Sequence, residues 1–168
     1  MIAALLLLLA AAEAGRCLPD DAGFLTLRLR GSIEADIDWR GPALDCTGMS
    51  RPDGGLRLRF AGKRAGGELA IVFAAPDLAM GASAKGVPVN VTVLDGAGER
   101  IYGTQGESRC LFDAVEQQAL TDALLPLNSY RISARGFCTA PARALDGEGA
   151  VLLTRFDFAG LVSFGEQP

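Results

Sequence analysis

The 168-residue sequence contains no histidine. That absence removes the Ser-His-Asp triad, the Cys-His pair, imidazole metal sites and the side chain most often used for general acid–base catalysis. The motifs G-x-S-x-G and S-x-x-K are missing too, and so is a glycine-rich phosphate loop, so no nucleotide or other cofactor is expected. The four cysteines lack the C-x2-C pairs of a zinc site, and no metal is expected. Of the sixteen basic residues only Lys63 and Lys85 are lysines; the rest are arginine. With the abundance of alanine and glycine, this points to a GC-rich bacterial genome. The formal charge is −4 and aromatics make up 7% of the chain, with no stacking platform among them, so nucleic acid is excluded as a partner. No long helical periodicity is present.

What the chain does have begins with an apolar run, Ile2 to Ala12, followed by Ala12-Glu13-Ala14. Small residues at that spacing mark a secretory leader, with cleavage expected before Gly15. The run is too short to span a bilayer, and no lysine or arginine precedes it. Arg16, directly before Cys17, argues against lipidation of that cysteine. Residues 15–168 are then read as one domain, long enough to bury its own core and without a transmembrane segment. Four cysteines in an exported chain imply two disulfides, and hence a periplasmic or secreted location.

The stretch Gly23 to Trp39 is the clearest strand signal. Leu25, Leu27 and Leu29, then Ile33, Ala35, Ile37 and Trp39, alternate with polar residues, the period-two pattern of a half-buried hairpin. A two-residue turn at Gly31-Ser32 would set Leu29 against Glu34, so a loop of odd length is expected. The register taken is Leu29 opposite Ile33 and Leu25 opposite Ile37, with Arg28 facing Glu34. Extended outward, it brings Cys17 beside Cys46. Arg40 to Gly55 is rich in turn residues. Further strands are expected at 56–62, 68–74, 87–94, 99–104, 110–119 and 150–164, with a bulge or bend at Ala159-Gly160. Glu68 to Ala74 is apolar on both faces and reads as a central strand. A mirror centred on Leu124 sets Cys110 opposite Cys138 and Asp113 opposite Arg135.

The pairing expected is therefore Cys17–Cys46 and Cys110–Cys138. Closing a loop of about 29 residues is worth roughly 3.6 kcal/mol in the chain-entropy model. Many short strands between turn signals predict an all-β fold: an antiparallel β-sandwich or flattened barrel stapled by two disulfides.

Two side-chain groups are candidates for function. Arg28, Arg57 and Arg59 should all point outward and would form a cationic, anion-binding stripe if their strands are neighbours. Asp36 and Asp38 share one strand face, and two such carboxylates could serve glycoside hydrolysis. The missing catalytic residues favour a non-catalytic binding or structural role, with a protein, a glycan or an anionic envelope component as partner. The carboxylate hydrolase is the alternative. The oligomeric state has no signature in the sequence.

Overall fold

A computed structural model of the chain describes residues 17–96, 98–106 and 109–165. The leader expected over 1–14 lies outside these residues. The strands are β1 (Phe24–Gly31), β2 (Ala35–Arg40), β3 (Asp45–Ser50), β4 (Leu56–Arg64), β5 (Gly67–Ala75), β6 (Ala84–Asp95), β7 (Arg100–Gly103), β8 (Cys110–Ala119), β9 (Ser129–Cys138), β10 (Ala142–Ala144) and β11 (Ala150–Ser163). Two 3-10 turns, Pro19–Asp21 and Gly41–Ala43, precede β1 and β3.

From β3 to β11 the chain is an antiparallel meander. β7 and β8 lie end to end along one edge of β6, while β5 takes the other edge. β9 and β10 continue in the same way between β7–β8 and β11. The wall closes on itself in the order β3–β4–β5–β6–β8–β9–β11, and Ser163 of β11 pairs with Met49 of β3. A meander with an odd number of strands must end running in the direction it began, so this closing pair is parallel. The expected fold is thus met as a flattened barrel. The β1–β2 hairpin is added to the free edge of β11, ahead of β3.

The strand alternation decides which side chains enter the barrel. Five phenylalanines, Phe60, Phe73, Phe112, Phe156 and Phe158, are fully buried at its centre. Phe73 touches all the others, with ring centroids 4.8 Å from Phe156 and 4.9 Å from Phe158. Tilted and edge-on rings at this spacing suit the quadrupoles of the aromatic faces. The outer face carries charges instead, such as Arg28, Arg155, Arg135 and Asp113, the reverse of a barrel wall that meets lipid. No helix among the described residues is long and apolar enough to cross a membrane.

Both disulfides are those expected from the sequence. Cys110 and Cys138 sit directly opposite each other on β8 and β9. Cys17 precedes β1 and ties that segment to Cys46 in β3, so it fastens the added hairpin to the barrel wall.

Three registers differ from expectation. The first hairpin keeps the expected faces but pairs Leu25 with Trp39, Leu27 with Ile37 and Leu29 with Ala35, two residues from the mirror drawn. Its loop is longer, because Gly31 continues β1 against β11, and Arg28 faces Asp36 rather than Glu34. On β8 a bulge takes Asp113 out of the ladder, so Ala114 lies opposite Arg135. The ladder between β11 and β9 runs unbroken through Ala159 and Gly160, whereas the bulge in β11 falls at Thr154, opposite the step from Arg28 to Leu29. The Thr154 hydroxyl donates to the Arg28 carbonyl there.

The largest omission is β3, in the stretch read as turns. Its residues, DCTGMS, show no apolar alternation, and only Cys46 among them is buried. It can close the barrel because Gly48 has no side chain: a Cβ there would lie 2.1 Å from the Leu161 carbonyl oxygen.

Candidate functional site

The three candidate arginines do not share a surface. Arg57 and Arg59 lie two apart on β4, while Arg28 lies on β1, and β3 and β11 separate those strands. The neighbour relation that a cationic stripe requires is therefore not met. Arg28 is also paired with Asp36 at 3.3 Å and Arg59 with Asp45 at 3.4 Å, whereas Arg57 makes no ion pair among the described residues. Exposed pairs of this kind contribute little to stability.

The two carboxylates proposed for hydrolysis are held by arginines on the outer face of the hairpin. Asp36 meets Arg30 at 2.9 Å as well as Arg28, and Asp38 meets Arg40 at 2.8 Å. The hydrogen bond from Arg30 is the chief influence holding the Asp36 carboxyl below its usual range. A general acid needs the opposite shift.

One charged cluster had no signal in the sequence beyond a turn-forming Asp-Gly. Asp95 ends β6 and is 4% exposed. Its two oxygens accept hydrogen bonds from Arg64 and, at 2.8 Å, from Arg100. Burial alone would raise the Asp95 carboxyl, but the two guanidinium groups outweigh it and hold the group below its usual range. The cluster joins the ends of β4, β6 and β7. Two charges on one buried carboxylate make it a clamp rather than a proton carrier.

A cleft of about 650 Å3 opens on the outer face above β4 and β5. Its floor is one cross-strand row, Ala61, Ala70 and Leu94, set by the registers of three consecutive strands. Pro42, Ala43 and Leu44, in the turn entering β3, form one wall. Arg59, bound to Asp45, borders the row on one side; Lys63 and Glu68 border it on the other. Lys63 and Glu68 face each other in register, yet Lys63 has no ion pair among the described residues. The sequence signal for this floor was the run ELAIVFA. Its inner face fills the core, and on its outer face Ala70, Val72 and Ala74 are buried outside the core cluster while Glu68 is exposed.

A second feature lies at one end of the barrel. The segments 51–55, 76–83 and 120–128 and the end of β11 all meet there. Of the exposed large apolar side chains, Leu124 (92% exposed), Leu127, Met49 and Met80 are all at this end. The leucine loop is held in shape. The Leu124 N–H donates to the Asp122 carboxylate, the Leu125 N–H to the Asp122 carbonyl and the Ser129 hydroxyl to the Pro126 carbonyl. Gln117 braces the Met80 loop: its amide donates to the carbonyls of Ala79 and Ala82 at 2.8 Å, and its side-chain oxygen accepts from the Gly81 N–H.

Comparison with protein-family models, curated proteins and solved structures finds no match.

The geometry itself therefore carries the functional reading. Among the described residues no group of three or more acidic or cysteine side chains could hold a metal. What the molecule presents is a closed strand wall, a cleft with an apolar floor and a charged rim, and an end bearing solvent-exposed leucine and methionine.

Proposed function

We propose that the protein is an exported, non-catalytic binding domain whose apolar-tipped end docks on an apolar surface of another protein. The observation that carries this reading is the pair Leu124 and Leu127, exposed on a loop whose backbone is already fixed by Asp122 and Ser129. Leucine held in water by a structured loop gains free energy when a partner covers it, and a preformed loop loses little entropy in doing so. Methionine beside it suits an adaptable apolar contact. The two disulfides and the leader-like start support the periplasm or the outside of the cell as the place where this happens.

The test compares the wild type with the double variant Leu124→Ser/Leu127→Ser. Both are immobilised and exposed to periplasmic extract at matched thermal midpoints. The wild type is expected to retain a protein that the variant releases, and that protein should bind the purified wild type at a fixed stoichiometry. An identical retention profile for the two would refute the reading.

A further inference from the structure

We infer that the outer-face cleft above β4 and β5 binds a small amphipathic anion, one with an apolar body and a single carboxylate, sulfonate or phosphate head. The floor fits such a body. Ala61, Ala70 and Leu94 lie in one cross-strand row, and Ile101 continues it onto β7. The three strands that floor the cleft make an apolar row about 10 Å long at the usual strand spacing. Alanine methyls at two of these positions leave the row lower than the long side chains on either side, and the Pro42–Leu44 turn closes one end. A cleft of this volume, with an apolar floor and charged groups at its rim, is within the ordinary range of a small-ligand site.

The rim specifies the charge of the head. Asp45 already has Arg59 as its counter-ion, so that pair is internally neutral. Lys63 lines the cleft with no carboxylate within ion-pair distance among the described residues. Its backbone is fixed, since its carbonyl accepts a 3.0 Å hydrogen bond from the Trp39 indole and the Trp39 ring packs on Gly62. An anionic head beside Lys63 would supply the missing partner. Glu68, directly across from Lys63, opposes that head, which gives the proposal a second sign to check.

The probe is 1-anilinonaphthalene-8-sulfonate, an amphipathic anion whose fluorescence rises in apolar surroundings, titrated into the native disulfide-bonded protein. Lys63→Glu is expected to weaken binding by at least about threefold, and Glu68→Gln to strengthen it. Ala70→Arg, which fills the trough, is expected to abolish it. Lys63 and Glu68 are exposed, so their variants remain informative if Ala70→Arg does not fold. Leu124→Ser/Leu127→Ser controls for the apolar end and should leave the binding intact. Displacement by decanoate in solution assigns the site to a free amphiphile; displacement only by phosphatidylglycerol vesicles assigns it to a lipid surface. Binding lost with the leucine variant and indifferent to Lys63, Glu68 and Ala70 would overturn the inference, as would no saturable binding at all.

Discussion

Asp95 is the residue on which one end of the barrel depends. Removing one partner from a buried ion pair leaves the other uncompensated, so Asp95→Ala is expected to lower stability by about 3–5 kcal/mol in urea denaturation at neutral pH. The pH dependence has a definite sign. The carboxyl sits below its ordinary 3.8 in the folded protein. Its stabilising contribution is therefore fully present above that value and is lost as pH falls through the lower, folded one. The gap in urea midpoint between wild type and Asp95→Ala should be widest near pH 7 and shrink below about pH 4; a gap constant down to pH 2 would contradict the clamp. Phe73 matters for a different reason. It touches all four other central rings, and Phe73→Ala should cost about 3–5 kcal/mol, measured the same way, by leaving a cavity that those rings cannot close.

Among the elements, β3 is both the least legible and the most consequential. A strand announces itself when alternate residues are apolar, and β3 hides because it crosses β11 with glycine where a core side chain would stand. Gly48→Val should force β3 off β11 and destabilise the protein by about 1–3 kcal/mol or more, seen as a lower thermal midpoint and faster amide exchange in 45–50 and 160–163. Protection equal to wild type in both segments would mean that the closure is looser than described. Elsewhere the pattern spoke clearly. The faces of β1 and β2 follow from the leucine alternation, because a one-residue slip would invert them, but a two-residue slip keeps every face and is invisible to that argument. The hairpin register differs from the mirror of the apolar pattern by that amount. The span of β8 was legible through its mirror with β9, and its bulge was not, since Asp113 keeps its ion pair with Arg135 at 3.4 Å despite leaving the ladder. The candidate sites were hardest to read. The cleft depends on which outer faces adjoin, and the loop that displays Leu124 read only as a connector.

For the molecule as a whole, the two disulfides do different things. Cys110–Cys138 reinforces strands that already pair, whereas Cys17–Cys46 holds the added hairpin to the barrel. Each double alanine variant should lose roughly 2–5 kcal/mol. Only the Cys17→Ala/Cys46→Ala variant should loosen residues 17–23, read as limited proteolysis at that segment; cleavage in the β8–β9 region instead would reverse the assignment.

The seam between Met49 and Ser163 has a consequence in time. Seven strands lie between its two partners in the chain, so the wall cannot close until β11 has been made. Contacts so distant along the sequence make folding slow. Until then β3 and β9 present raw edges to any other strand nearby. A copy truncated before Ala150 would leave β1, β3, β9 and β10 without the strand they pair with, and its fate would be aggregation rather than a smaller barrel.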